Sequence, residues 1–142
     1  MRGLPVALGL CLAASLSAGC GLGKAKQEAV KVAESYFASV KQKDYRTALA
    51  LYSAEFFQQT KRDDWLEILR KVNTRLGDLK SYRLTGWQVH TNIGRGTYVA
   101  LNYRVTYTKH QADEAFRLFR PASGGQFRIM GHNINSPGLL LE

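Results

Sequence analysis

Thr97-Tyr98-Val99-Ala100-Leu101-Asn102-Tyr103-Arg104-Val105-Thr106-Tyr107-Thr108 is the stretch that decides the fold. Val99, Leu101, Tyr103, Val105 and Tyr107 alternate with Tyr98, Ala100, Asn102, Arg104 and Thr106. A period of two with one apolar side predicts a strand with one face on a core and one in water. Gly94 and Gly96 precede it and suit a hairpin turn to an earlier strand, Tyr82 to Asn92, which carries Trp87 and Val89 on one face. A third strand follows around Ala115 to Arg120 and is broken by Pro121, Ser123, Gly124 and Gly125. A fourth runs from Gln126 to about Ile134. Pro137 and Gly138 then end regular structure, leaving Leu139, Leu140 and Leu141 as a docked or frayed tail.

Ahead of the strands the period is helical. Ala25, Ala29, Val32, Ala33, Tyr36, Phe37 and Val40 fall at steps of three and four, with Lys26, Glu34 and Lys41 on the other face. Asp44 reads as the N-cap of a second helix with Tyr45, Ala48, Leu49 and Tyr52 on its inner stripe. Thr60 and Asp63 read as a capping pair for a third, whose buried face is Trp65, Ile68, Leu69, Val72 and Leu76. Gly77 supplies the left-handed residue that ends it. Three amphipathic helices followed by a four-stranded antiparallel meander define an α+β domain, with the helices packed on one face of the sheet.

The N-terminus has a different composition. Arg2 is the only charge before Lys24, and an apolar run from Leu4 to Ala13 leads to Leu16-Ser17-Ala18-Gly19-Cys20. A basic start, an apolar middle and a small-residue end make a secretory signal, and the run is too short and too broken for a transmembrane helix. Cys11 leaves with the signal, so Cys20 has no disulfide partner. Ser17-Ala18-Gly19-Cys20 resembles the bacterial lipobox, with Leu16 one place further back than the commonest pattern. The resemblance implies cleavage before Cys20 and a diacylglycerol thioether on its sulfur. It also implies, since Gly21 is not Asp, sorting to the outer membrane of a Gram-negative cell. The expected organisation is a lipoprotein signal over 1–19, a lipidated anchor with a short Gly21-Leu22-Gly23 tether over 20–24, one domain over 25–136, and a tail over 137–142.

A resemblance also attaches to the domain. Ala33-x-x-Tyr36-Phe37, Lys43-Asp44-Tyr45-x-x-Ala48-x-x-Leu51-Tyr52 and Phe127-Arg128-Ile129-Met130-Gly131-His132 resemble the nuclear transport factor 2-like superfamily, which includes ketosteroid isomerases and SnoaL-like cyclases. They are most similar to its short secreted bacterial members of unknown function. The resemblance covers roughly Ala25 to Ser136 and implies a cone: a curved sheet wrapped on a long first helix, with a pocket at the open end.

Catalytic groups are hard to find in that pocket. Where an isomerase-like base is expected after Leu51-Tyr52, the chain has Gln58, Gln59 and Thr60, and Glu55 reads as a solvent-facing helix-end glutamate. His90 falls on the first strand, His110 at the second turn and His132 on the last, so a meander keeps them apart, and no pair has zinc spacing. No Gly-x-Ser-x-Gly elbow appears. Gly94-Arg95-Gly96 belongs to the hairpin. No cofactor is implied. Four aromatics face the expected interior, Tyr36, Trp87, Tyr103 and Tyr107, either as core or as the lining of a shallow apolar pocket.

The formal charge is +9. The cations are scattered singly, without the runs that make nucleic-acid arms, and export removes the chain from nucleic acid. Anionic head groups, an anionic envelope polymer or an envelope protein are the partners such a surface suits, beside the membrane itself through Cys20. Two readings remain open: a lipid-anchored, periplasm-facing binding or scaffold module, and a cone-pocket enzyme of isomerase or hydrolase type acting on a small apolar molecule.

Overall fold

The computed structural model describes residues 20–141. The signal over 1–19 lies outside the described residues. The element order is α1 (Cys20–Lys41), α2 (Tyr45–Leu49), α3 (Ala54–Gln59), α4 (Arg62–Leu76), β1 (Leu79–Asn92), β2 (Gly96–Tyr107), β3 (Gln111–Pro121), β4 (Arg128–Asn135) and a 3-10 turn (Pro137–Leu139). The sheet is antiparallel throughout in the order β1-β2-β3-β4. It curves around α1, with bulges between Leu84 and Gly86 and between Arg117 and Leu118 adding local bend. The α+β architecture read from the sequence is the one observed.

The core lies between α1 and the inner face of β2 and β3. Ala25, Ala29, Ala33, Tyr36, Phe37 and Val40 of α1 are buried, as are Val99, Leu101, Tyr103, Val105 and Tyr107 of β2. In both elements the buried residues repeat at the period of that element, 3.6 and 2, which is why the same chain makes both.

Five details differ from the sequence reading. The first helix begins at Cys20 and includes Gly21, Leu22 and Gly23 in place of a tether. Neither glycine takes a positive φ, and a helix once nucleated extends at one hydrogen bond per added residue. The second helix stops at Leu49, because the backbone of 51–53 pairs with β4: Ser53 N–H donates to Ile129 O (2.8 Å) and Ile129 N–H to Leu51 O (3.0 Å). Tyr52 thus sits in a parallel bridge with Ile129. An additional helix, α3, is capped by Ser53, whose Oγ accepts from Phe56 N–H (3.3 Å). Thr60 ends α3, so α4 starts after Lys61 without a side-chain cap, and Asp63 and Asp64 complement the dipole of its first turn. Finally, Ile68 is 40% exposed while Trp65, Leu69, Val72 and Leu76 are buried. It flanks the stripe.

Asp44 caps α2 as expected: its Oδ1 accepts from Thr47 N–H (3.2 Å) and its Oδ2 from the Thr47 hydroxyl (2.6 Å). Gly77 ends α4 at φ +90°, where a Cβ would collide with Thr108 Oγ1. The tail docks through its 3-10 turn. Ser136 Oγ–H donates to Gln111 O (2.6 Å), and Arg75 Nη1 donates to Leu139 O (2.6 Å). Leu140 and Leu141 stay exposed.

Candidate functional site

Of the four aromatics expected inside, the structure buries Tyr36, Tyr103 and Tyr107. Trp87 is a correction: it stands 44% exposed. Its register explains this. Trp87 pairs with Leu101 and shares the inner face, but β1 is the sheet edge, and α1 covers the ring only in part. Lys26 of α1 lies over the ring, with Nζ 4.7 Å from its centroid. Cys20 opens α1, and its side chain lies outside the described residues.

The interior is filled with rings. Tyr36 packs edge-on against Phe37, Tyr52, Phe116 and His132, at centroid distances of 5.0–6.3 Å. Phe116 stacks on His132 at 4.2 Å, and Trp65 stands edge-on to the same imidazole at 5.6 Å. These T-shaped contacts set the positive ring edge on the negative face of the next ring.

Within this packing runs a polar chain that the sequence reading missed. The Tyr107 hydroxyl donates to Glu114 Oε1. His132 Nε2 lies 2.9 Å from Glu114 Oε2, and His132 Nδ1 lies 2.6 Å from Tyr52 Oη. The side chains of Glu114 and His132 are wholly buried. One proton arrangement satisfies every group: His132 Nε2–H and the Tyr107 hydroxyl donate to the carboxylate, and the Tyr52 hydroxyl donates to Nδ1. Burial pushes the phenols of Tyr36, Tyr52 and Tyr107 well above their ordinary range. These hydroxyls therefore keep their protons through the neutral range. Tyr103, pushed up to about 12 by burial, has a hydroxyl with no partner among the described residues, as does the Trp65 indole N–H.

The signal for Glu114 was present. Ala112, Glu114, Phe116 and Leu118 are the inward set of β3, but a strand read as starting at Ala115 leaves the glutamate outside its phase. His90, His110 and His132 do not meet: His90 is exposed on β1 and His110 packs at Gly138. Among the described residues no group of three or more His, Cys, Asp and Glu is placed to hold a metal.

Outside the core an open groove of about 1010 Å³ runs between α3 and the β3–β4 connection. Glu55, Gln58, Arg62, Phe57, Phe119 and Arg128 line its sides. Glu55 is exposed. Arg62 lies over the Phe57 ring at 5.0 Å, and Arg128 Nη1 donates to Ala50 O (3.1 Å). Both guanidiniums are thus engaged with the protein itself.

The family model for DUF4019, described as a protein of unknown function, matches residues 32–132. The chain belongs to this family. The match runs from α1 to the histidine of the buried chain, so it spans both ends of the network. No curated protein matches the sequence.

Proposed function

We propose that the protein is a lipid-anchored module of the bacterial cell envelope that binds or scaffolds a partner and carries out no chemistry of its own. It is attached through a diacylglycerol thioether on Cys20 and faces the periplasm, with a domain of the nuclear transport factor 2-like type. The signal and lipobox-like residues support the location. The supporting observation for the module is the filled interior. A general base must reach a substrate proton. Glu114 and His132, the titrating pair inside the sheet, have wholly buried side chains and use their polar atoms on Tyr107, Tyr52 and each other. The isomerase or hydrolase reading would need a substrate to displace Phe116, Trp65 or Tyr36 from the imidazole.

Among the described residues no helix is long and apolar enough to cross a membrane. The anchor reading therefore depends on Cys20. Mass spectrometry of the mature N-terminal peptide is expected to find Cys20 carrying the diacylglycerol mass. An unmodified thiol there overturns the anchor. Crosslinking in intact envelopes tests the module. A specific crosslinked partner lost in a Phe57→Ala, Phe119→Ala groove variant supports it. Turnover of a small apolar substrate, abolished by His132→Gln in a folded protein, overturns it.

A further inference from the structure

Glu28 of α1 pairs with Arg120, and Arg120 stands opposite Thr97 where β2 and β3 meet. What projects is the start of α1, the β1–β2 turn at 93–95 and the β3–β4 connection, whose Ala122 N–H donates to Arg95 O (2.9 Å). From Cys20 to Lys26 is ~9 Å of helix at 1.5 Å per residue.

This end is unusual in two respects. Leu22 is 47% exposed and Ile93 97%, and the half-open Trp87 lies under Lys26, ~20 Å back along β1 from Ile93. Among the described residues the charges there are Lys24, Lys26, Arg95 and Arg120, and the carboxylate of Glu28 is taken up by Arg120 and by Lys24 at 3.9 Å. Exposed apolar side chains ringed by cations, including an indole under an ammonium, match the chemistry of a lipid interface, apolar just below an anionic surface.

The geometry points to a membrane-docking surface: Leu22, Ile93 and Trp87 rest on the bilayer that holds the Cys20 anchor, with Lys24, Lys26 and Arg95 on anionic head groups. The inference rests on the lipid attachment proposed above. A helix that starts at Cys20 leaves no tether, so this end stays within ~10 Å of the surface, about one Debye length. Two acyl chains hold a protein to a membrane without orienting it. The docking surface orients it.

The test uses protein extracted from membranes in a Trp65→Phe background, where Trp87 is the remaining tryptophan. It is reconstituted into phosphatidylcholine vesicles with and without phosphatidylglycerol, carrying brominated acyl chains. Quenching of Trp87 emission, stronger with phosphatidylglycerol, is expected. Protein that stays attached while Trp87 emission is unquenched in both overturns the docking and leaves the anchor standing. A second arm leaves the core untouched: Cys20→Ser protein floated with phosphatidylglycerol vesicles. Binding there is expected to be salt-sensitive, to fall with Ile93→Ser, and to fall about fivefold for each cation removed, starting with Lys26→Gln. Binding indifferent to these changes overturns the docking. Should Cys20 prove unmodified, salt-sensitive flotation sustains the surface without the anchor, and absence of flotation removes both.

Discussion

Glu114 and His132 meet diagonally across β3 and β4: Phe116 is the direct register partner of His132 and Ile134 that of Glu114, yet Oε2 and Nε2 lie 2.9 Å apart. A carboxylate inside a core is costly unless its lone pairs are used. Here Tyr107 takes one oxygen and His132 the other, and Tyr52 satisfies the far side of the imidazole. The chain links β2, β3, β4 and the 51–53 bridge, so it specifies how the α2–α3 segment sits on the sheet.

Removing one member should therefore be severe. Glu114→Ala leaves the Tyr107 hydroxyl and His132 Nε2–H unpaired, and is expected to cost ~2–6 kcal/mol in urea unfolding, ~1–3 for each orphaned donor. His132→Ala alone should cost a comparable amount. The double variant should cost less than the sum, by ~0.5–3 kcal/mol of coupling. Strictly additive losses would show that the two side chains act independently.

The Asp44 cap predicts an acid limb. The side-chain and backbone bonds from Thr47 hold its carboxyl below the ordinary 3.8. A depressed folded-state value means the contribution is complete above 3.8 and is lost as pH falls through the lower folded value. Asp44→Ala should thus lower the thermal midpoint at pH 7, and the gap from wild type should narrow in strong acid as the charge-dependent part is lost. Asp44→Asn, which still caps, should keep most of the midpoint. A gap that is constant with pH would sever the cap from its charge.

How much of this was legible follows from period and phase. The β2 alternation and the α1 stripe are long enough that the apolar pattern alone fixes their inner faces. Short elements carry too little pattern. The six residues of α3 are too few to show a helical stripe of their own, and Thr60, which fits the cap of the next helix by sequence, closes this one. Trp87 has the right phase and the wrong environment, since phase says which face a residue is on and not whether anything covers it. Glu114 was lost to a strand boundary drawn a few residues late. That boundary error cost the whole buried chain, because His132 and Tyr52 look like ordinary core positions without it.

The two tryptophans now separate cleanly. Trp65 is buried against Tyr52, Phe56 and His132, and Trp65→Ala is expected to cost ~3–5 kcal/mol. Trp87→Ala gives up a half-exposed ring and the Lys26 contact, worth ~0.5–1 kcal/mol for such an exposed pair. Iodide should quench Trp87 efficiently in the Trp65→Phe background. Poor quenching in detergent-free, lipid-free buffer would mean that something else covers the ring.

Tyr103 and Tyr107 offer the sharpest contrast, because both are buried on the same face of β2 and differ in what their hydroxyls touch. The Tyr107 hydroxyl donates to Glu114. Tyr107→Phe leaves a carboxylate oxygen unpaired in the core, and is expected to cost ~1–3 kcal/mol. The Tyr103 hydroxyl is buried without a partner among the described residues. Phenylalanine there removes a desolvated polar atom and keeps the ring contacts with Phe37 and Phe116 at 5.1 and 5.9 Å. Tyr103→Phe is therefore expected to be neutral or to raise the unfolding midpoint. Were Tyr103 the handle of a ligand pocket, its removal would instead leave stability alone and abolish binding. Urea midpoints for the two phenylalanine variants, measured side by side, separate these outcomes: a loss at Tyr103 equal to that at Tyr107 would show that its hydroxyl has a partner after all.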